Sequence, residues 1–286
     1  MASGVKKQVL NKRSCFSTFK IQAMTSVENK VILITGAGMG LGLAAAKEAA
    51  KNGARLSLVD YNEKALNEAK AGLSKEYPEA KVITLVADVS KETEVKNYVD
   101  ETVKAFGRID GFYNNAGIEG KQALMTDYEV AVFKRVIDIN LMGVFYGMRY
   151  VLPVMQQQQY GRIVNVASVG GIRGVLNQTP YVASKHAVSG MTKNAALEYG
   201  RYGIVTNAIA PGAILTPMVA EAFRQVNPDD PKKAETEYAQ FNPTKRLGLP
   251  EEVARVVLFL LSEECSYVNG QTIAVDGGQS NAYGFV

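Results

Sequence analysis

The feature that most constrains the fold of this chain is a short apolar run that leads directly into a glycine-rich turn. The run from Val31 to Ile34 is continuously apolar, as expected for a parallel strand that helices cover on both faces. The turn that follows reads Thr35-Gly-Ala-Gly-Met-Gly-Leu-Gly42, and the alanine-rich stretch from Ala44 to Lys51 has the composition of a helix. A strand, a tight turn and a helix in this order predict the start of an α/β domain.

Strand and helix patterns continue to alternate along the rest of the chain. Apolar runs predict further strands at residues 55–59, 81–86, 109–113, 162–166, 204–209 and 272–275, and helical patterns lie at 62–75, 90–106, 127–157, 181–202 and 251–261. The alternation predicts a single α/β domain over residues 27–286. We expect a Rossmann-type, doubly wound domain, in which a seven-stranded parallel sheet carries helices on both faces.

Local signals add detail to this outline. Asn62 and Ser90 are predicted to cap helices, and the spacing of Glu92 and Lys96 favours a supporting ion pair. The one long stretch without a regular pattern, residues 216–246, contains Pro228 and Pro231. An irregular segment of this length in a compact α/β domain predicts a lid over a functional site.

The formal charge of +4 comes from the beginning of the chain. The first 23 residues carry five basic side chains and no acidic one, so the remaining chain has 27 basic and 28 acidic residues. This balance indicates no nucleic-acid surface, and no apolar run reaches the roughly 18 residues of a membrane span. Two cysteines form no disulfide framework and one histidine offers no metal cluster, so we predict no metal site and a reducing compartment, the cytoplasm.

Residues 1–26 are predicted to form a basic extension that precedes the domain. Their acid-free, serine-containing composition is typical of organellar transit peptides, whereas the apolar centre of a secretory signal is missing. A disordered tail, or an upstream start codon with Met24 as the native first residue, explains the same composition. Sequencing of the native N-terminus distinguishes these possibilities, because a start at Met24 would exclude import through this segment.

The glycine-rich turn indicates a dinucleotide site. Gly36, Gly40 and Gly42 lie between a strand and a helix, where missing side chains let the backbone approach a pyrophosphate and the helix N-terminus attracts it. The spacing Gly-x-x-x-Gly-x-Gly differs from the more widespread Gly-x-Gly-x-x-Gly. A glycine cluster after a strand also occurs as a tight turn that binds nothing.

Asp60, at the end of the next predicted strand, predicts which dinucleotide is bound. A carboxylate at this position can accept hydrogen bonds from both ribose hydroxyls and repels a 2′-phosphate. Met39, Tyr61 and Asn62, which could otherwise hold that phosphate, carry no positive charge. These residues predict NAD rather than NADP as the cofactor. The alternative for Asp60 is an exposed helix-capping role.

The segment Tyr181-Val-Ala-Ser-Lys185 is the strongest candidate for catalytic chemistry. Positions four apart lie on the same face of a helix, so the Lys185 ammonium is expected next to the Tyr181 phenol. Its positive charge is expected to lower the phenol pKa, which is ordinarily about 10, towards neutrality. Such a phenol can exchange a proton with an alcohol or a carbonyl group. Tyrosine and lysine at this spacing also occur by chance in many helices.

Together, the motifs between residues 27 and 283 resemble those of the short-chain dehydrogenase/reductase family. The resemblance implies that Tyr181 exchanges the proton, while Lys185 supports the phenolate and binds the nicotinamide ribose. It also implies that Ser168 holds the substrate oxygen and that Asn140 orders a water, which passes the proton onward from Lys185. Alone, a serine after a strand and an asparagine within a helix are more often structural.

The resemblance further implies a cofactor-binding set. The glycine turn is expected to contribute Thr35, Gly36, Gly38, Met39, Gly40, Leu41 and Gly42, and Asp60 follows on the next strand. The pair Asp88 and Val89 is expected to contact the adenine, and the segment 114–117, which braces the central strand, contributes Asn115, Ala116 and Gly117. Tyr181 and Lys185 belong to this set as well, and the stretch at the nicotinamide carboxamide contributes Pro211, Gly212, Ile214 and Thr216. Glu119, just past the bracing segment, is expected at the mouth of the site. A homotetramer is also implied, with the long helices at its two-fold interfaces.

The leading hypothesis is therefore an NAD-dependent oxidoreductase that interconverts a secondary alcohol and a ketone. Apolar residues in the predicted lid, among them Met218 and Phe223, favour a small, neutral and cyclic ketone. A sugar or polyol dehydrogenase and a 3-oxoacyl reductase are the enzymatic alternatives; the latter usually requires NADP, which Asp60 disfavours. An NAD(H)-binding sensor on the same fold is the non-enzymatic alternative. Oxidation of NADH with a panel of ketones separates these hypotheses.

Overall fold

The computed structural model describes residues 27–282, so the predicted N-terminal extension lies outside the described residues. Within that range, seven strands form one parallel sheet in the order β3-β2-β1-β4-β5-β6-β7, as the strand–helix alternation predicted. The strands are β1 Val31–Thr35, β2 Arg55–Asp60, β3 Val82–Val86, β4 Gly111–Asn114, β5 Gly161–Val166, β6 Ile204–Pro211 and β7 Thr272–Val275.

Helices cover both faces of this sheet. They are α1 Gly40–Lys51, α2 Glu63–Glu76, α3 Glu92–Phe106, α4 Val130–Ile137, α5 Gly143–Gln158, α6 Thr179–Tyr199, α7 Pro217–Val226, α8 Pro231–Phe241 and α9 Pro250–Leu261. Apolar side chains of α1, α2 and α9 form the core on one face, and those of α3, α5 and α6 form the core on the other. The strands are consequently buried on both sides, which explains their continuous apolar runs.

Strands β2 and β3 are added to one side of β1, and strands β4 to β7 are added to its other side. Strand β1 pairs with β2 on one side and with β4 on the other. The loops after β1 and β4 therefore leave the sheet towards opposite faces and open a crevice between them. Such a switch point, at the carboxyl ends of the strands, is where open α/β sheets bind ligands.

The long helix predicted at residues 127–157 is interrupted by a π-helical turn. This turn spans Asp138–Met142 and separates α4 from α5. Asn140 lies within it and turns its side chain inward, where Oδ1 accepts a hydrogen bond from the Ile118 N–H at 2.8 Å and Nδ2 donates to the Ile118 carbonyl at 2.8 Å. A π turn inside a helix often marks a functional position.

The prediction of an irregular segment at residues 216–246 is wrong, because helices α7 and α8 occupy most of it. Each helix has a proline, Pro217 or Pro231, at its first position, where the missing N–H costs nothing. Thr216 and Asp230 cap them by accepting hydrogen bonds from Val219 N and Lys233 N. The prolines therefore begin helices here and do not break them.

Two local predictions around α3 are also wrong. Lys91, not Ser90, is the N-cap residue, and Ser90 instead donates hydrogen bonds from its N–H and its hydroxyl to the Asp88 carboxylate. Lys96 pairs with Asp100 at 2.5 Å and not with Glu92. The predicted cap at Asn62 is confirmed, because its side chain accepts a hydrogen bond from Ala65 N at 3.1 Å.

Candidate active site

A cleft of about 620 Å³ lies at the carboxyl ends of the central strands. It is lined by most of the residues that the sequence assigned to a cofactor and to catalysis: Gly36, Met39, Gly40, Leu41, Asp60, Asp88, Val89, Asn115, Ala116, Gly117, Ser168, Tyr181, Lys185, Pro211, Gly212, Ile214 and Thr216. Four others, Thr35, Gly38, Gly42 and Asn140, are not among the lining residues. The volume falls within the range of ligand pockets, which is roughly 300–1,000 Å³.

The glycines of the turn after β1 are required by its geometry. Gly36 and Gly40 have φ angles of +63° and +54°, a region that glycine adopts without strain. At Gly42 the constraint is space, because a β-carbon there would lie 2.0 Å from the Gly36 carbonyl oxygen. This contact lets α1 begin directly against the turn, and its first residues, Gly40 and Leu41, line the cleft.

Asp60 lies at the end of β2, beside this turn, and only 6% of it is exposed. Its Oδ2 accepts a hydrogen bond from the Gly38 N–H at 2.9 Å, and its Oδ1 accepts one from the Asn62 N–H at 3.0 Å. Asn62, and not Asp60, caps helix α2. Each carboxylate oxygen keeps a second lone pair, so Asp60 can accept further hydrogen bonds from a ligand in the cleft.

The segment after β4 is bound tightly to the end of β1. The Thr35 hydroxyl accepts hydrogen bonds from the N–H groups of Asn115 at 2.9 Å and Ala116 at 3.1 Å. The Asn115 amide returns a hydrogen bond to the Thr35 carbonyl at 2.9 Å. The side chain of Asn114 donates to the Val144 carbonyl at 3.0 Å and so braces β4 against α5. Both walls of the crevice are thereby held at a fixed separation.

The Tyr–Lys pair and Ser168 line the same cleft. Tyr181 and Lys185 lie one turn apart on α6, and Ser168 follows β5. Ser168 lies close enough to the Tyr181 phenol to lower the pKa of that phenol. Lys185 is buried and donates a hydrogen bond to the Val166 carbonyl at 2.7 Å, with its Nζ 5.6 Å from the centroid of the Tyr181 ring. The three side chains therefore form one polar cluster.

The expected acidic phenol is not found in this arrangement. The pKa of Tyr181 is raised to about 12, chiefly by burial; Ser168 opposes this rise, and the nearby Glu119 carboxylate adds to it. Burial also lowers the pKa of Lys185 to about 8. The helical spacing correctly predicted the proximity of the two groups, but desolvation outweighs their electrostatic attraction.

Asn140 lies behind Gly117, close to Lys185. A β-carbon on Gly117 would come within 3.1 Å of Asn140 Oδ1 and 3.5 Å of Lys185 Nζ. The absence of a side chain at Gly117 is therefore what lets these two polar groups approach the same point. Asn140 Nδ2 also donates a hydrogen bond at 3.3 Å to the hydroxyl of Ser184, which the sequence analysis did not single out.

Glu119 and Gln225 also line the cleft, and each is hydrogen-bonded to a further polar residue. The Glu119 carboxylate accepts hydrogen bonds from the side-chain amides of Gln122, at 3.0 Å, and Gln178, and burial raises its pKa. Gln225 on α7 accepts a hydrogen bond from the Gln122 N–H at 3.1 Å. No local sequence signal could reveal Gln178 or Gln225, because they lie 59 and 103 positions from their partners.

Two other kinds of site receive no support from the described part of the chain. Between residues 27 and 282, no group of three or more His, Cys, Asp or Glu side chains is arranged to hold a metal ion. None of the helices in that range is both long enough and apolar enough to cross a membrane.

The switch-point cleft, the glycine turn and the Ser–Tyr–Lys cluster define an α/β oxidoreductase with a nucleotide-binding site. A family model described as enoyl-(acyl carrier protein) reductase matches residues 36–280. The chain belongs to this family, the short-chain dehydrogenases/reductases, and the resemblance in its motifs is thereby confirmed.

Individual relatives agree with this assignment. The chain is 54% identical over 259 residues to levodione reductase from Leifsonia aquatica, covering 91% of this chain and 97% of that one. It is 39% identical over 257 residues to cyclohexanol dehydrogenase from Acinetobacter sp. (strain SE19), covering 88% and 96%. A crystal structure of levodione reductase matches with a TM-score of 0.89 at 54% identity, over 90% of this chain and 99% of that one. NAD⁺-bound xylitol dehydrogenase matches with a TM-score of 0.83 at 36% identity, over 88% and 99%.

Proposed function

We propose that this protein is an NAD-dependent oxidoreductase that interconverts a secondary alcohol and a small, neutral, cyclic ketone, with Tyr181 as the proton donor and acceptor. The observation that carries the proposal is that Ser168, Tyr181 and Lys185 line the same cleft as the glycine turn and Asp60. One cavity therefore offers a nucleotide-binding end and a proton-transferring end.

The cofactor end fits a nicotinamide dinucleotide with an unphosphorylated ribose. The backbone of the glycine turn and the N-terminus of α1 would hold the pyrophosphate, and Asp60 would accept from the adenosine ribose hydroxyls. Asp88 and Val89 would contact the adenine, and the stretch Pro211–Thr216 would hold the carboxamide. When bound, such a cofactor supplies hydride in one direction and accepts it in the other.

The reacting end moves a proton in step with the hydride. Ser168 would hold the substrate oxygen in line with the Tyr181 hydroxyl, a positioning role. With a pKa of about 12, Tyr181 stays protonated at neutral pH and is ready to donate to a carbonyl oxygen. Oxidation requires the phenolate, which the Lys185 ammonium and the positive charge of an oxidised nicotinamide would favour. Lys185 and Asn140, which converge at Gly117, would pass the proton onward.

The walls of the substrate end support a neutral ligand. Ile118, Met218 and Val219 line it with apolar groups, while Glu119 and Glu221 would repel an anion. The relatives named for levodione and cyclohexanol support a cyclic ring as the substrate. A polyol is the second candidate, because the Gln225 amide, which lines the cleft, could hydrogen-bond an additional hydroxyl, and one structural relative is named for xylitol.

Three further properties complete the proposal. We propose one domain over residues 27–286, with α7 and α8 as its lid.

A homotetramer is proposed because α5 and α6 expose apolar side chains such as Phe145 and Leu197, the latter 83% exposed. A cytoplasmic location is proposed because the chain has only two cysteines. Light scattering tests the assembly, and a monomer would contradict it.

The experiment that tests the proposed reaction is a substrate panel with both cofactors. Absorbance of NADH and NADPH would be followed with cyclohexanone, a cyclic diketone, a pentulose and a 3-oxoacyl thioester. We expect the cyclic ketones with NADH to give the highest kcat/KM. Turnover of the pentulose alone would favour the polyol alternative, a preference for the thioester with NADPH would favour the 3-oxoacyl reductase, and binding of NADH without any turnover would favour the sensor.

A further inference from the structure

Gln279 occupies an unusual position between the cofactor end of the cleft and its lid. It begins a short 3₁₀ turn, Gln279–Asn281, shortly after β7, and only 7% of it is exposed. Its Nε2 donates a hydrogen bond to the Tyr238 hydroxyl on α8, and its Oε1 accepts one from the Ala213 N–H at 3.4 Å. One buried amide thus connects a lid helix to the loop that follows β6.

The loop on one side of Gln279 lines the cofactor end of the cleft. This loop, Pro211–Thr216, contributes Gly212, Ile214 and Thr216 to the lining. Gly212 packs so closely that a β-carbon there would lie 2.7 Å from Gln279 Oε1. Because protein interiors are closely packed, a displacement of the loop would also displace the Gln279 amide.

The helix on the other side of Gln279 supports the substrate lid. The Tyr238 ring on α8 meets the Phe223 ring on α7 edge to face, with centroids 5.6 Å apart. Phe223 is buried with Ala234 and Leu247, and Val219, which lines the cleft, packs against the same cluster. Helices α7 and α8 therefore form one packed unit, and the Tyr238 ring is part of the contact between them.

The turn that carries Gln279 is itself fixed. The Asp276 carboxylate accepts hydrogen bonds from the N–H groups of Gly278 at 2.9 Å and Ser280 at 2.7 Å. The side-chain amide of Asn242, just after α8, donates to the Asp276 carbonyl at 3.1 Å. Because its backbone is held on both flanks, the Gln279 side chain is preorganised to bridge the loop and the lid.

We propose that Gln279 is a positioning residue that couples occupation of the cofactor loop to ordering of the α7–α8 lid. This inference rests on the proposed function, in which Pro211–Thr216 contacts a nicotinamide. A cofactor that restrains the loop would restrain Gln279, then Tyr238, then the unit of α7 and α8. The lid would then close over substrate only when the hydride donor is already bound.

Amide hydrogen exchange on the full chain tests this coupling directly. Exchange of residues 217–241 would be measured with and without saturating NADH, in the absence of substrate. In the wild-type chain we expect NADH to slow lid exchange about tenfold. In Q279A the effect should fall below about twofold, and Y238F, which removes only the hydroxyl that Gln279 contacts, should lose most of it.

Matched controls separate coupling from general damage. Gln271 and Tyr267 are exposed and lie on the same C-terminal part of the chain, so Q271A and Y267F should retain the full NADH effect. Steady-state kinetics supply a second readout, since Q279A should raise the KM for the ketone while the Kd for NADH changes less than about threefold. Should Q279A fold poorly, Y238F alone decides between the outcomes.

The outcomes distinguish this inference from the proposed function. Full protection of the lid by NADH in both Q279A and Y238F overturns the coupling and leaves the proposed reaction intact. Absence of NADH binding to the wild-type chain by calorimetry overturns the proposed function, and the coupling with it. Loss of protection in the two variants but not in the controls establishes the role of Gln279.

Discussion

Lys185 donates a hydrogen bond to the carbonyl of Val166 at 2.7 Å while its Nζ stays 5.6 Å from the centre of the Tyr181 ring. The end of β5 therefore fixes the amine in place, and Ser168 lies beside the neighbouring phenol and lowers its pKa. Burial drives the two pKa values in opposite directions, towards a neutral phenol and a neutral amine. This arrangement favours donation of a proton at neutral pH over its abstraction.

The first prediction concerns the pH dependence of the two directions of the reaction. Because the pKa of Tyr181 is raised to about 12, its protonated form persists to high pH and its phenolate is the minor species near neutrality. Alcohol oxidation should therefore accelerate as the pH rises from about 7 to 10, whereas ketone reduction should not accelerate. Initial rates in both directions across this range check the prediction. An oxidation rate that falls as the pH rises would contradict it.

The second prediction assigns part of this pH dependence to Glu119. Its carboxylate raises the pKa of Tyr181, so E119Q, which removes the charge and keeps the shape, should lower that pKa. The rise in oxidation rate should then begin at a lower pH than in the wild-type protein. E129Q is the matched control, since Glu129 lies on the surface with its side chain 69% exposed. Superimposable profiles for E119Q and the wild type would rule out this role.

The third prediction tests the preference for NAD. Asp60→Ala removes the carboxylate that is hydrogen-bonded to Gly38 N and that faces the cleft. We expect the affinity for NADH to fall at least about tenfold, while NADPH is no longer repelled. The ratio of the affinities for NADH and NADPH should therefore decrease sharply. Titration calorimetry with both cofactors measures the two affinities, and D100A, at an exposed position of α3, serves as the control. An unchanged ratio of the two affinities would remove Asp60 from the site.

The fourth prediction compares the effect on stability of an alanine at two helical glycines, Gly42 in the first turn of α1 and Gly72 within α2. Gly42→Ala would force a β-carbon to within 2.0 Å of the Gly36 carbonyl oxygen, so we expect a loss of about 3 kcal/mol or more in unfolding free energy. Gly72 lies in α2 with nothing within 4 Å of its added β-carbon, so Gly72→Ala should gain about 0.5–1 kcal/mol. Urea denaturation measures both. Equal effects at the two positions would show that close packing of the turn is unimportant.

Much of the fold could be predicted from the sequence because the relevant signals are local. Continuous apolar runs predicted all seven strands, and Asn62 could be identified as a cap from its position alone. The irregular structure of residues 216–246 was mispredicted because Pro231, three positions after Pro228, looks like a helix breaker until its place at the first position of α8 is known. The π turn at Asn140 had no sequence signal, since it depends on hydrogen bonds to Ile118.

In the site, too, local features could be predicted from the sequence and features that depend on distant contacts could not. The spacing of Tyr181 and Lys185 correctly placed them together on one helix, because helical geometry alone determines that relationship. The direction of the Tyr181 pKa shift could not be predicted, since burial depends on the whole fold. The hydrogen bonds from Gln178 to Glu119 and from Gln279 to Tyr238 link distant parts of the chain, so no local sequence pattern predicts them.

The most direct test of the central claim is turnover by Y181F, measured beside its affinity for NADH. Removal of the phenolic hydroxyl should reduce kcat for a cyclic ketone by about 10³-fold or more, because the variant has no group to donate the proton. The Kd for NADH, from calorimetry, should stay within about threefold of the wild type, since the ring itself remains. A Phe variant that turns over within tenfold of the wild-type rate would contradict the assignment of Tyr181 as the proton donor.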